Sequence, residues 1–444
     1  MSKSLIFFYL ALIILFYLSF IFNFQPYIEG DTQILVKSSH LIFNCLQNHQ
    51  LQFCPGLTHF PLLQHIASLS FYFLNKNPLS NLSFLSSLNL LSFCLSCLIL
   101  FKFLLKNTSL RIALFGLLIF LTGFNLYYAF STFNESTSSL LLLLFLILNL
   151  ETKPSWSKII IISTIAGMSK EIIWPILLLI FIVAQLVSET STKYLRNLIP
   201  TIIGIIISTL CNSLFNLYRF GTITNSVLLD PTLMVNNFYN YLSFFFGLIF
   251  SSSGGLLYFW PSLSGLIIFS LYLSSNNKRL FILNILTLSI LIIQNAGLSK
   301  WFSPFGWVAW GPRLTFPILP SILLLFLFIN HQKISSTIQH VLTHKTFSII
   351  LFLFLLITGT SHYAMLLFPQ QSLNQLFAPN PNFPVPAIIQ QDSAYYYRSV
   401  DDLIWRNNRI LSDNIIIAVK TKTSYLIPYS LLLLALFLKL KKAK

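Results

Sequence analysis

Long apolar runs recur along the whole chain, separated by short polar segments. An α-helix needs about 20 mostly apolar residues to cross roughly 30 Å of hydrocarbon. Runs that meet or approach this length are 5–24, 83–105, 111–130, 136–150, 171–187, 198–217, 255–273, 280–297, 313–330, 346–368 and 424–439. A shorter run at 158–168 also counts as a span, because without it the number of crossings is odd and the two termini would lie on opposite faces of the membrane. The pattern predicts an all-α polytopic membrane protein with about 12 transmembrane helices, within a range of 11–13.

The composition agrees with this pattern. Of the 444 residues, 55% are hydrophobic and only 9% are charged, whereas soluble domains carry roughly 25% charged residues. Gly, Pro and Cys are too sparse for a fibrous, disordered or disulfide-scaffold protein.

The net charge of +16 is mainly a signal of topology. With the N-terminus inside and the spans alternating, the inner face holds 16 basic and two acidic residues, and the outer face holds 11 basic and nine acidic residues. This asymmetry follows the positive-inside rule and predicts that both termini are cytoplasmic. Run 5–24 lacks a small-residue cleavage pattern, so we expect a retained helix rather than a signal peptide.

The long connections all fall on the outer face, which is therefore expected to carry the function. The first contains an alternately apolar stretch, His59 to Leu74, that predicts an interfacial helix. In the same loop Cys45 and Cys54 face an oxidising compartment and could form a disulfide, but the His and Cys spacing does not fit a zinc site. We divide the chain into a transmembrane domain (1–368), an outer elaboration (369–423), and a last transmembrane helix with a basic inner tail (424–444).

Two acidic segments at the outer face are candidates for chemistry. Glu29 and Asp31 flank Gly30 directly after the first span, where carboxylates beside hydrocarbon are costly unless paired, metal-bound or hydrated. One of them could act as a general base, or both could be ordinary solvated acids. Glu135 begins the fourth span, where an acid is also favoured by the helix macrodipole alone.

Three basic residues at the same face could bind phosphate. Arg313 opens the tenth span, and its planar guanidinium suits phosphate oxygens, although an interfacial Arg also anchors helices. Lys170 could bind phosphate or pair locally with Glu171. Arg219 could bind phosphate, or its side chain could extend to the interface and anchor the helix.

Seven of these segments, in order, resemble motifs of the GT-C superfamily of polytopic glycosyltransferases. These enzymes use polyprenyl-phosphate sugars, and the motifs look like those of a bacterial branch of the protein O-mannosyltransferase-like and aminoarabinose transferase-like proteins. The segments are Glu29-Gly30-Asp31, Thr58–Leu63, Phe133–Ser136, Gly167–Glu171, Asn216–Gly221, Ser253–Pro261 and Trp310–Leu314.

The resemblance implies a GT-C-like fold and inverting transfer of a sugar from a lipid phosphate in a cavity open to the periplasm, at a bacterial cytoplasmic membrane. Asp31 would be the base, with Glu29 as its rival and Glu135 as a supporting acid. Arg313, Lys170 and Arg219 would bind the donor phosphate.

The cofactor and the acceptor remain open. Some relatives use a divalent metal such as Mg²⁺ or Mn²⁺ and others do not, and no metal ligand is assigned. The partners would be the lipid-linked donor, membrane lipids and an acceptor lipid, glycan or protein, and not a nucleic acid.

Other classes remain as alternatives. A transporter or flippase of lipid-linked saccharides usually places ionisable residues at mid-membrane, whereas nearly all charges here lie at span ends. A glycan polymerase or ligase could use Arg398, Arg406 and Arg409, and a non-catalytic membrane subunit is a further alternative.

Overall fold

The computed structural model describes residues 30–48, 53–54, 57–151, 154–170, 173–188, 191–225, 234–235, 237–250, 255–301, 312–367 and 423–443, and most of them are helical. The helices are α1 (Gly30–Gln47), α2 (Leu62–Leu74), α3 (Pro78–Asn107), α4 (Leu110–Leu121), α5 (Asn125–Phe130), α6 (Glu135–Leu150), α7 (Trp156–Ser169), α8 (Trp174–Val187), α9 (Ser191–Phe220), α10 (Phe238–Phe250), α11 (Leu256–Phe259), α12 (Pro261–Ser274), α13 (Lys278–Leu298), α14 (Leu319–Ile329), α15 (His331–Thr343), α16 (Lys345–Leu367) and α17 (Thr423–Lys442). A 3₁₀ helix, Arg313–Ile318, precedes α14.

The all-α polytopic class is confirmed. Among the described residues, four helices are long and apolar enough to cross a membrane by length and composition, namely Ser80–Asn107, Arg196–Phe220, Lys278–Leu298 and Lys345–Tyr363. The bent pair formed by the 3₁₀ helix with α14 and by α15 makes a fifth if it is counted as one span. Seven shorter apolar helices accompany them, and one of these, α7, covers the short run predicted at 158–168. The predicted first span and all but Thr423 of the outer elaboration lie outside the described residues.

Two of the predicted spans, 111–130 and 255–273, are broken at the same place in the bundle. The indole of Trp260 is fully buried and donates to the carbonyl of Ile119 at the end of α4, 2.9 Å away. A Cβ at Gly123 would lie 2.5 Å from that ring, so glycine is required there. Pro261 disfavours helical geometry at Trp260, and each break therefore fits into the other.

The tenth predicted span, 313–330, is irregular at both ends. It begins as a 3₁₀ helix that contains Pro317, since proline removes a donor from the helical ladder. After α14 the axis turns by 84° into α15. Helix α15 occupies what the hydrophobic pattern left as an inner loop, and it buries Ile334, Ile338 and Leu342 at a spacing of four residues.

Small residues bring α7 and α9 into close contact. A Cβ at Gly204 would overlap the hydroxyl of Ser163, and one at Gly167 would overlap Ser208. Asn212 also donates to the carbonyl of Gly167, 3.0 Å away. Close approach at small residues is the usual way in which membrane helices associate.

The last helix, α17, is tied to α4 at both ends. The hydroxyl of Tyr429 donates to the carbonyl of Leu121 at 2.8 Å, and Arg111 donates to the carbonyl of Ala443 at 2.8 Å. Tyr429 also stacks on Tyr363, with ring centroids 4.8 Å apart. Helix α17 therefore packs in the same bundle as α4 and α16.

The first long loop, which the charge pattern predicts to be on the outer face, contains two helices, α1 and α2. Helix α2 begins after Pro61, three residues later than the start of the predicted interfacial stretch at His59. Cys45 and Cys54 are joined by a disulfide with their Cα atoms 6.0 Å apart, as the sequence allowed.

Candidate active site

Glu135, Lys170 and Arg313 meet in one ion cluster, which we call the Glu135 cluster. The Oε1 atom of Glu135 lies 2.9 Å from Nζ of Lys170 and 2.9 Å from Nε of Arg313. The side chain of Glu135 is fully buried, that of Arg313 is nearly so, and that of Lys170 is 22% exposed. Three elements distant in sequence thus bring together three of the six predicted site residues.

The local fold explains why these residues meet. Glu135 is the first residue of α6 and Lys170 follows the last residue of α7. The amide of Asn134 donates to the carbonyl of Ser169 at 2.8 Å, which fastens the start of α6 to the end of α7. Arg313 is the first residue of the 3₁₀ helix.

Asn89, in the interior of α3, holds the segment before Glu135. Its amide donates to the carbonyls of Ser131, 3.0 Å away, and Phe133, and its Oδ1 accepts from Thr137 at 3.2 Å. Sequence reasoning missed Asn89. The available signal was a polar side chain within an apolar span, because such residues are expensive there and usually have a partner.

An aromatic ring lies against the arginine of the Glu135 cluster. The guanidinium carbon of Arg313 lies 3.1 Å from the ring centroid of Phe133, and Phe316 stacks on Tyr128 with centroids 5.6 Å apart. Arg suits this position better than Lys because its planar cation stacks on rings. The burial of Glu135 and Arg313 limits their contact with water, which strengthens the electrostatic interaction between them.

The Glu135 cluster carries two positive charges and one negative charge. Two cations at hydrogen-bond distance favour the ionised form of a carboxyl group, so Glu135 is a carboxylate. Its second oxygen, Oε2, is buried and has no hydrogen-bond partner in the described part of the chain. The three side chains by themselves therefore sum to a charge of +1, and Oε2 offers a further acceptor, which together suit an anion that also carries a hydroxyl group.

A divalent metal does not fit at Glu135, because both neighbours within 2.9 Å are cations. No group of three His, Cys, Asp or Glu side chains could hold a metal ion among the residues that the structure describes.

One of the two predicted bases belongs to α1. Asp31 is the second residue of that helix, and Glu29 lies outside the described residues. Of the segment around Arg313, Trp310 and Gly311 also lie outside them.

Arg219 lies in a second set of contacts. Its side chain is buried at the end of α9, where Nη1 donates to the carbonyls of Thr58 and Phe60 at 2.9 and 2.6 Å. The role predicted for it in donor binding stays a prediction.

His65, in α2, lies close to Arg219. Its ring approaches Thr58, with Nε2 and Oγ1 3.4 Å apart. Burial and the Arg219 guanidinium lower the pKa of His65 to about 3, although a bond with Thr58 acts in the opposite direction. This imidazole is therefore neutral at physiological pH.

No protein family and no curated protein matches this sequence. Two crystal structures resemble the fold, both of ArnT from Cupriavidus metallidurans. The apo state is 14% identical with a TM-score of 0.47, and the similarity covers 99% of this chain and 76% of that one. The form bound to undecaprenyl phosphate is 12% identical with a TM-score of 0.45, covering 94% of this chain and 78% of that one.

Proposed function

We propose that the protein is an integral-membrane glycosyltransferase that moves a sugar from a polyprenyl-phosphate donor to an acceptor hydroxyl group. The observation that carries this proposal is the Glu135 cluster, a buried site in which Lys170 and Arg313 share the carboxylate of Glu135, so that the three side chains sum to a charge of +1. The motif resemblance supports the same assignment. The reaction would take place at the outer face of a bacterial cytoplasmic membrane, the face to which the charge count assigns this end of the bundle.

The charge of the cluster suits the donor. A polyprenyl-phosphate sugar is a phosphodiester with one negative charge, and loss of the sugar leaves a phosphate monoester with a second negative charge. Preorganised cations stabilise charge that develops in the transition state. Arg313 would bind phosphate oxygens with its planar fork, and the partly exposed ammonium of Lys170 would meet the phosphate as a point charge.

The reaction balances with a carboxylate base. The acceptor oxygen forms a bond with the anomeric carbon as the bond from that carbon to the phosphate oxygen breaks. The hydroxyl proton passes to Asp31, or to Glu29 as the alternative base, and the bonding electrons leave with the phosphate. Attack opposite the leaving group inverts the anomeric carbon. Glu135 supports the reaction by fixing Lys170 and Arg313.

The base assignment has its own test. Asp31→Asn is expected to abolish transfer while the variant reaches the membrane in normal amounts, because an amide cannot accept the proton. Full activity of that variant would move the role to Glu29. Activity with and without a chelator tests whether a divalent metal takes part.

The main experiment measures transfer from a panel of polyprenyl-phosphate sugars by purified protein, with product mass as the readout. Lys170→Gln and Arg313→Gln are each expected to lower kcat about 100-fold, the usual effect of removing one transition-state donor. Lys158→Gln is the matched control, since Lys158 is exposed at the opposite end of α7 and its loss should leave the rate unchanged. Normal rates in both site variants would refute the proposal. Movement of a lipid-linked saccharide across proteoliposomes without transfer would favour a flippase instead.

A further inference from the structure

The guanidinium of Arg219 donates hydrogen bonds to oxygen atoms of the protein itself. Nη1 donates to the carbonyls of Thr58 and Phe60. Nε and Nη2 both donate to Oδ1 of Asn216, at 2.9 and 2.6 Å. Four of the donors of a five-donor group are thus directed at neighbouring protein oxygens.

The same guanidinium group also lies over two aromatic rings. The ring centroids of Phe215 and Phe220 are 4.7 and 4.5 Å from its central carbon, and only 2% of the residue is exposed. An arginine that binds a ligand needs free N–H groups directed at that ligand. This arrangement instead suits an arginine that holds two parts of the chain together.

The parts held together are the end of α9 and a short segment of the first loop, residues 53–54 and 57–60, which we call the strap. Two other hydrogen bonds join the strap to the end of α9 and the residues after it. The backbone N–H of Cys54 donates to the carbonyl of Tyr218 at 2.8 Å, and the side-chain amide of Asn225 donates to the carbonyl of His59 at 3.2 Å. The strap therefore follows the position of α9.

The strap is also fastened to α1. The disulfide joins Cys54 to Cys45 near the end of that helix. In its middle, Ser38 accepts from the amide of Thr58 at 3.1 Å. Helix α1 carries Asp31 in its first turn. Arg219 therefore holds the strap, and the strap holds the helix that carries the proposed base.

We propose that Arg219 is a positioning residue, which clasps the strap to the end of α9 and so fixes α1 and its Asp31 relative to the bundle. This inference rests on the proposed function. A positioning role and a donor-binding role for Arg219 predict different kinetic effects of its substitution. A misplaced base lowers kcat with little effect on donor binding, whereas a lost phosphate ligand weakens donor binding directly.

Arg219→Lys separates the two roles. Lysine keeps the positive charge, so a phosphate site would lose little affinity. A single ammonium cannot reproduce the fork that spans Asn216 and the two strap carbonyls. The clasp therefore predicts that Arg219→Lys and Arg219→Gln both lower kcat at least tenfold and leave the affinity for undecaprenyl phosphate within twofold of wild type. Arg313→Gln, in contrast, should weaken that affinity at least tenfold.

Hydrogen exchange of the full-length protein tests the clasp without any substrate. The amides of Cys54 and Thr58 should exchange at least tenfold faster in both Arg219 variants. Arg196→Gln is the matched control because Arg196 is exposed near the start of α9, and it should change neither exchange nor kcat. Asn216→Leu removes the shared acceptor and keeps the arginine, so it should reproduce the Arg219 effects and guards against a variant that fails to fold.

The outcomes are distinguishable. Normal kcat in Arg219→Lys together with weakened undecaprenyl phosphate binding in Arg219→Gln would make Arg219 a phosphate ligand and overturn the proposal. Unchanged exchange in an active protein overturns the clasp alone. If the wild-type protein transfers no sugar, the proposed function fails, and the positioning of Asp31 for that reaction fails with it.

Discussion

Glu135→Gln is the substitution that most directly tests the ion cluster. Glutamine has nearly the same volume as glutamate, so the change adds no cavity, but it removes the negative charge between Lys170 and Arg313. The two cations then lose the carboxylate that they share. Arg313 is almost fully buried, whereas Lys170 is 22% exposed, so most of the cost falls on the arginine.

The expected loss of stability can be worked out from these contacts. Removing one partner of a buried ion pair costs about 3–5 kcal/mol, and hydrogen bonds to charged groups contribute about 1.5–3 kcal/mol each. Because the Lys170 contact is partly screened by solvent, we expect a total of about 3–5 kcal/mol. This corresponds to a fall in melting temperature on the order of 5 °C.

The same substitution should have the opposite effect on phosphate binding. In the wild-type protein a phosphate competes with the carboxylate of Glu135 for the two cations, and in Glu135→Gln this competitor is absent. We expect undecaprenyl phosphate to bind about tenfold more tightly, equivalent to about 1.4 kcal/mol. The ligand should therefore raise the melting temperature of the variant more than that of the wild type.

Thermal unfolding of the purified full-length protein, with and without undecaprenyl phosphate, measures both effects. Glu151→Gln is the control, because Glu151 is an exposed acid at the other end of α6 and its substitution should change stability by less than about 0.5 kcal/mol. If Glu135→Gln has the same melting temperature as the wild type and binds undecaprenyl phosphate no more tightly, the cluster does not form as described.

Three further predictions concern packing and pH. Folding lowers the pKa of His65 from 6.5 to about 3, so between these pH values the unfolded chain binds a proton that the folded chain does not. The free energy of unfolding should therefore decline by on the order of 4 kcal/mol as the pH falls from 6.5 to 3. In His65→Gln the melting temperature should depend less on pH over this range. Gly204→Ala places a methyl group against Ser163 and should cost about 1–3 kcal/mol in thermal unfolding, whereas Gly265→Ala, with nothing within 4 Å, should cost nothing. Tyr429→Phe removes the bond that fastens α17 to α4 and should cost about 1 kcal/mol; an unchanged melting temperature would show that the bond does not form.

The sequence predicted the chemical types in the site better than their partners. Glu135 was interpreted as a helix N-terminal acid or a functional acid, and it is indeed the first residue of α6. Lys170 was expected to pair locally with Glu171 or to bind phosphate, yet the described contact is with Glu135, 35 residues away. Hydrophobic periodicity defines each helix separately and carries no information about which helix ends become neighbours.

The broken spans show the same limit for the fold. Hydropathy counts 111–130 and 255–273 as continuous because Gly123, Phe124 and Trp260 do not lower the apolar character of the runs. The break depends on a buried indole that occupies the space where a Cβ would stand at Gly123. Such a contact between two runs is invisible when each is read alone, although the Trp260-Pro261 pair gives a local hint.

The arrangement of charges in the Glu135 cluster has a consequence for turnover under the proposed function. Unpaired cations in a buried site are costly, so a protein that must hold two of them between reactions needs an internal counter-ion. Glu135 supplies one carboxylate oxygen to both cations, so an arriving phosphate exchanges one set of charge-assisted bonds for another. Product release gains from the same competition, because the carboxylate reclaims Lys170 and Arg313 when the phosphate departs. The acid that weakens phosphate binding is then the group that allows the site to be used repeatedly.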